Sequence, residues 1–300
     1  MQLLDGKIAS FHIKQLLTSQ AALLQQKNLA SPHLAAILIG NNGASETYVA
    51  SKIKSCSEIG FQSTLIRFDD TVSEKAVLEK IQELNIDDAV DGILVQLPLP
   101  KHIEEKKIVN AISPAKDVDG FHPENLGNLV LGSPRFISAT PYGIILLLQH
   151  YNIDTKGKHV VVIGRSNIVG RPISILLSSN AQYGNATVTL CHSHTANIKE
   201  LSLQADILVA ALGKPGFVTP DMVKENAVVI DVGITRVEDA SAKKGFRIKG
   251  DVNFDEVAPK TSYITPVPGG VGLMTIAALL TNTMKAYLQR NNLGEDIFNK

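Results

Sequence analysis

Lys158-His-Val-Val-Val-Ile163 runs straight into Gly164-Arg-Ser-Asn-Ile-Val-Gly170 and then Arg171-Pro172. An apolar β-branched run, a glycine at its exit and a helix start make the setting of a phosphate-binding turn. Gly164 permits the sharp departure from the strand, the free N–H groups at the helix start attract a pyrophosphate, and Gly170 lets the helix pack close to the sheet. The usual G-x-G-x-x-G is not met, because Ser166 replaces the second glycine and the last spacing is one residue longer. Taken alone, such a turn also fits any α/β protein. The end of the next strand, Leu190-Cys-His-Ser-His-Thr195, narrows the choice, since it lacks the acid that holds the ribose 2′-hydroxyl of NAD. A carboxylate there would repel a 2′-phosphate, whereas Ser193 can bond it and Arg165 offers a fork of donors, so charge favours NADP over NAD. With no Cys, Asp or Glu at ligand spacing, His192 and His194 read as loop histidines near the cofactor, and no metal is expected.

The chain on either side of this turn alternates strands and helices. Upstream, Leu34–Ile39, Phe61–Phe68 and Asp91–Leu97 read as strands, with helices predicted over Ser45–Glu58 and from an N-cap at Ser73 through Leu84. Downstream, strands are expected at His159–Ile163, Ala186–Leu190, Ile207–Ala211 and Val228–Val232. Before that set, Thr140-Pro-Tyr-Gly143 opens a helix stopped at Gly157, and after it a helix spans Leu273–Arg290. Alternation of this kind implies right-handed crossovers and parallel sheets whose ligands gather at the carboxyl ends of the strands. The expected class is α/β in two domains. A catalytic βαβ-type domain takes residues 1–139 and is completed by the C-terminal helix, 272–300. A Rossmann-like nucleotide domain, 140–271, is inserted between them.

Composition agrees with that reading and excludes others. The 300 residues carry 29 Lys and Arg against 29 Asp and Glu, so no basic excess is present to release counterions from a nucleic acid. Hydrophobic residues make up 44%, with no Trp and only 6 Tyr and 9 Phe, which favours aliphatic strands buried on both faces. Cys56 and Cys191 read as reduced thiols of a cytoplasmic protein. The start lacks a signal-peptide pattern, and the apolar stretch Gly272–Leu280 is too short to cross a bilayer, so no membrane partner is expected.

Polar residues collect where such folds place their sites. Tyr48 and Lys52 stand four apart and share a helix face, although a snorkelling surface lysine gives the same spacing. Gln96 interrupts an apolar strand at its carboxyl end, in Val95-Gln-Leu-Pro-Leu-Pro100. Asp119 lies in the dense turn Lys116-Asp-Val-Asp-Gly-Phe-His-Pro123, which also reads as an Asx turn.

Eight strings in register complete the picture: Tyr48-Val-x-x-Lys52, Gln96-Leu-Pro-Leu-Pro100, Lys116-Asp-Val-Asp-Gly-Phe121, Gly164-Arg-Ser-x-Ile-Val-Gly170, Cys191-His-Ser193, Gly213-Lys-Pro215, Val229-Ile-Asp-Val-Gly-Ile234 and Thr265-Pro-Val-Pro-Gly-Gly-Val-Gly272 with Met274-Thr275. Together they resemble the bifunctional methylenetetrahydrofolate dehydrogenase/methenyltetrahydrofolate cyclohydrolase family over almost the whole chain. The resemblance implies NADP-dependent oxidation of 5,10-methylenetetrahydrofolate to the methenyl form, and hydrolysis of that form to 10-formyltetrahydrofolate in the same cleft. It implies Lys52 as the principal catalytic group, Tyr48 stacking on the folate and orienting the lysine, Gln96 bonding the lysine and Asp119 holding the pterin. Val95, Leu97, Pro268, Gly269, Gly270 and Val271 would also border the folate, and Gly164, Arg165, Ser166, Ser193 and Ile234 would line the NADP site. A homodimer joined through the nucleotide domain is implied as well. The chain departs from the family pattern at Ala139 in place of cysteine, at Leu273 in place of proline and in a longer loop around 181–185. Two other functions fit parts of the sequence: a two-domain NADP-dependent dehydrogenase of an amino or hydroxy acid, and an NADP-sensing scaffold. The first leaves Gln96 and the Pro-Gly-Gly loop without a task; the second has no need of a lysine held in a cleft.

Overall fold

The structure is a computed structural model that describes all residues except 240, 243, 244, 299 and 300. In chain order its elements are β1 (Gln2–Leu3), α1 (Gly6–Gln26), β2 (His33–Ile39), α2 (Gly43–Glu58), β3 (Gln62–Phe68), α3 (Glu74–Ile86), β4 (Gly92–Val95), α4 (Glu105–Ala111), α5 (Pro123–Val130), α6 (Ala139–His150), β5 (His159–Ile163) and α7 (Gly170–Ser178). There follow β6 (Thr187–Cys191), α8 (Ile198–Ser202), β7 (Ile207–Ala210), β8 (Val228–Asp231), β9 (Thr235–Glu238), β10 (Phe246–Lys249), α9 (Phe254–Val257), β11 (Tyr263–Ile264) and α10 (Val271–Arg290). Packing divides the chain into two units, Phe11–Ala139 with Ile276–Lys300, and Met1–Ser10 with Thr140–Thr275.

The first unit is built on a parallel three-stranded sheet in the order β3-β2-β4. Central β2 is apolar on both faces, as a parallel strand covered by helices must be, and Ala35, Ile37 and Ile39 share a core with Val77, Ile81 and Ile93. Ser73 caps α3 by accepting from the Ala76 N–H at 3.2 Å. Helix α2 starts two residues before the expected Ser45, because Asn42 accepts from both the Ala44 and Ser45 N–H groups. The C-terminal helix joins this unit through Asn282, whose Nδ2 donates to the Val118 carbonyl at 2.8 Å and the Ile137 carbonyl at 2.9 Å, and through Arg290 on Asp91 at 2.7 Å.

The second unit holds a six-stranded parallel sheet, β1-β11-β8-β7-β5-β6. Successive strands run outward in opposite directions from β5, so the topological switch point, where α/β sheets bind ligands, lies between β5 and β7. Several expectations are corrected here. Residues 1–10, expected with the first unit, belong to the second, because Gln2 and Leu3 pair with Tyr263 and Ile264; a two-residue strand has no periodicity to read. Helix α6 ends at His150 rather than near Gly157, stopped where Asn152 turns left-handed at φ 52°. The antiparallel pair β9 and β10 was not anticipated. Helix α10 begins at Val271 and so has the length and composition of a membrane span, but 78% of its apolar window is buried in the fold. Both cysteines are buried and unbridged.

Candidate active site

In the first unit, α2 carries Tyr48 and Lys52 on one face, and the lysine is only 3% exposed. Its Nζ donates to Gln96 Oε1 at 3.2 Å, stands 4.0 Å from Asp119 Oδ2 and lies 5.1 Å from the centre of the Tyr48 ring. All four residues proposed for chemistry therefore converge on one ammonium. Gln96 follows β4 directly, and its Nε2 donates to the Leu97 carbonyl at 2.8 Å, which turns Oε1 toward the lysine. Burial pushes Lys52 below the ordinary lysine value, with the Asp119 carboxylate pulling the other way. Burial likewise raises the Asp119 carboxyl, and the positive Lys52 opposes that shift. Val95 is buried in the apolar core at the end of β4; Leu97 is half-buried and precedes a cis peptide to Pro98.

The loop that presents Asp119 is held by residues that sequence reasoning passed over. Asp117 accepts from the Phe121 N–H at 3.2 Å, the His122 N–H at 2.8 Å and Asn125 Nδ2 at 2.8 Å. Lys116 Nζ donates to the carbonyls of Leu84 and Asp87 at the end of α3, at 2.9 and 2.6 Å. Ser138 Oγ donates to the Gly120 carbonyl at 2.8 Å, and Asn282 takes the Val118 carbonyl. Asp117 has a readable signal in its string; Asn282 has one in being a lone buried amide among the apolar residues of α10.

In the second unit, Gly164 has φ 121°, and a side chain there would collide with the Ala211 carbonyl. Ser166 Oγ accepts from the Val169 and Gly170 N–H groups at 3.1 and 3.4 Å, shaping the entry to α7. A backbone turn that only glycine can enter, at the switch point and before a helix, suits a dinucleotide pyrophosphate. The loop after β6 lies close to this turn, since the Gly164 N–H donates to the Cys191 carbonyl at 2.9 Å; desolvation lowers the His192 imidazole, and the positive Arg165 adds to that shift. Among the described residues no cluster of three metal-ligating side chains exists, and His192 Nδ1 already accepts from the His194 N–H at 3.1 Å. Ile234 follows β8 with its side chain 55% exposed. Pro268, Gly269, Gly270 and Val271 also belong to this unit, with a cis peptide before Pro268. The longer 181–185 loop sits at the amino end of β6, where the Gly184 carbonyl accepts from Thr155 Oγ1 at 2.8 Å, and so at the opposite end of that strand from Ser193.

Two family models match this chain in order: the tetrahydrofolate dehydrogenase/cyclohydrolase catalytic domain over residues 4–119, and the NAD(P)-binding domain of the same family over residues 138–291. The chain belongs to the tetrahydrofolate dehydrogenase/cyclohydrolase family. The Bifunctional protein FolD of Cytophaga hutchinsonii is 60% identical over 286 residues, which cover 95% of this chain and 99% of that protein. Among solved structures, the bifunctional enzyme FolD, a methylenetetrahydrofolate dehydrogenase/cyclohydrolase from Campylobacter jejuni, superposes with a TM-score of 0.90 at 48% identity, covering 97% of this chain and 99% of that one. A methylenetetrahydrofolate dehydrogenase-cyclohydrolase (FolD) from Trypanosoma brucei, complexed with NADP cofactor and inhibitor, gives 0.91 at 37% identity over 95% of this chain and 96% of that one. As a tetrahydrofolate dehydrogenase/cyclohydrolase, the chain joins the Lys52 unit to an NAD(P)-binding unit. The amino-acid or hydroxy-acid dehydrogenase reading is not favoured.

Proposed function

We propose that this enzyme oxidises 5,10-methylenetetrahydrofolate with NADP and hydrolyses the resulting methenyl form to 10-formyltetrahydrofolate, with Lys52 as the group common to both steps. The observation that carries this reading is a lysine buried against a neutral amide, a carboxylate and an aromatic face. When bound, NADP accepts a hydride from the methylene carbon. Gly164, Arg165, Ser166, Ser193 and Ile234 would hold it, the phosphate turn taking the pyrophosphate and Arg165 with Ser193 the 2′-phosphate.

Loss of hydride leaves a cation shared between two substrate nitrogens. A protonated lysine beside that cation would be repelled, and burial already disfavours the Lys52 proton. The neutral amine then takes a proton from the water that attacks the methenyl carbon. As the adduct's hydroxyl loses its proton and becomes the formyl C=O, one of the two C–N bonds breaks and the released nitrogen takes a proton, so that one proton in all passes through the lysine to solvent. Gln96 bonds the lysine without adding charge. Asp119 supplies two acceptors for the paired N–H groups of a pterin, and Tyr48 offers its ring for stacking. Pro268 to Val271 would border the folate.

Within the same reading the enzyme works in the cytoplasm as a homodimer joined through the nucleotide unit, where β6 leaves one edge of the sheet open. Its two buried free thiols suit a reducing compartment. Adding methylenetetrahydrofolate and NADP tests the reaction: NADPH and the methenyl chromophore should rise together, and the chromophore should then decay. Turnover of an amino or hydroxy acid in its place would overturn the assignment.

A further inference from the structure

Beyond the residues already placed at the cofactor turn, one buried carboxylate has no task in the chemistry. Asp251 is 0% exposed and follows β10. Its Oδ2 accepts from two successive backbone N–H groups, Leu212 at 2.6 Å and Gly213 at 2.9 Å, in the loop that leaves β7. Its Oδ1 is buried with no hydrogen-bond partner. Its own N–H donates to Asp231 Oδ1 at 2.8 Å, and the same oxygen accepts from Gly233 at 2.9 Å, while Asp231 Oδ2 accepts from Val252 at 3.0 Å. Two carboxylates thus tie the loops after β7 and β8 to the strand-end segment 250–252. Burial pushes Asp231 up to about 6, and the negative Asp251 adds to that shift. An unsatisfied buried oxygen next to a second carboxylate is costly, and such a cost is expected where function holds the arrangement in place.

The place of this knot says what it does. The loop that Asp251 grips continues from Ala211, whose N–H donates to the Ile163 carbonyl at 2.8 Å and whose carbonyl abuts Gly164 so closely that no side chain fits there. Asp251 therefore bears, through Leu212 and Gly213, on the wall of the crevice between β5 and β7 that faces the phosphate turn. We infer that Asp251 is a positioning residue for the cofactor, setting the β7 loop against Gly164 and acting on NADP binding but not on hydrolysis. This rests on reading the Gly164–Gly170 turn as the cofactor site.

The test is steady-state kinetics of Asp251→Ala, Asp251→Asn and Arg165→Ala, with methenyl hydrolysis measured without NADP. Asp251→Ala should raise the KM for NADP about tenfold, since a charged acceptor of two N–H groups is lost, and leave the hydrolysis rate within about twofold of the parent. Asp251→Asn keeps one oxygen for both N–H groups and puts its amide where the unpartnered oxygen lies, so its KM should stay near the parent value. If the alanine variant does not fold, Asp251→Ser, whose hydroxyl is too short to serve both amides, should show the same KM rise. An unchanged KM in the alanine or serine variant, or a parallel loss of both activities, would overturn the inference. Arg165→Ala separates the two failures: an unchanged KM there counts against the cofactor site, whereas a raised KM there with an unchanged KM on loss of Asp251 counts against Asp251 alone.

Discussion

Lys52 and Asp119 form a buried pair of opposite charges whose environments both disfavour ionisation. For the lysine, burial outweighs the carboxylate, so the amine becomes available below the ordinary lysine value of 10.5. Methenyl hydrolysis should therefore rise with pH along a limb whose midpoint lies below 10.5, as the lysine loses its proton. Asp119 favours the ammonium, so neutralising it in Asp119→Asn lowers the Lys52 value further and moves that limb to lower pH; a pH profile of the hydrolysis rate checks the direction, and a shift to higher pH would contradict it. Tyr48 and Lys52 were legible in the sequence because the helical period puts them on one face. The two aspartates of Lys116-Asp-Val-Asp-Gly120 were not separable in that way, since nothing in the spacing says which one meets a ligand. Packing separates them: Asp117 spends its oxygens on protein donors, whereas the surroundings of Asp119 act on it only through burial and Lys52.

At the scale of elements, α10 does more than close the first unit. Asn282 is 2% exposed and holds the carbonyls of Val118 and Ile137, on the two segments that flank Asp119 and Ser138. Asn282→Leu, close in volume, leaves both carbonyls buried without a donor and should cost about 3 kcal/mol, read as a lowered urea midpoint at unchanged slope. A variant as stable as the parent would mean that water or a shifted backbone satisfies those carbonyls. The same helix shows where sequence reading runs short. Its apolar run was legible, but an amide inside that run reveals its purpose only when the loop it bonds is in place. The parallel strands β5, β7 and β8 were legible as Val- and Ile-rich runs with a glycine within three residues of the exit, whereas β6, Thr187-Val-Thr-Leu-Cys191, leaves through His192 without one. Gln2–Leu3, pairing with Tyr263–Ile264 from the far end of the chain, was not, because pairing at that separation leaves no local trace.

At the scale of the whole molecule, the balance of 29 positive and 29 negative side chains leaves no general field to gather an anionic cofactor or a folate carboxylate tail. In the function proposed above, the cofactor's anionic groups meet local donors, the N–H groups at the start of α7 and the guanidinium of Arg165, while the acceptors around Lys52 serve the N–H groups of the pterin. The division of labour between a unit that binds the nucleotide and a unit that carries the lysine makes the two capacities separable by mutation. Lys52→Met replaces the ammonium with an apolar chain of similar length. Measured on purified enzyme, methenyl hydrolysis should be abolished while NADP still binds with parental affinity. A cyclohydrolase rate unaffected by Lys52→Met would contradict the role given to this lysine.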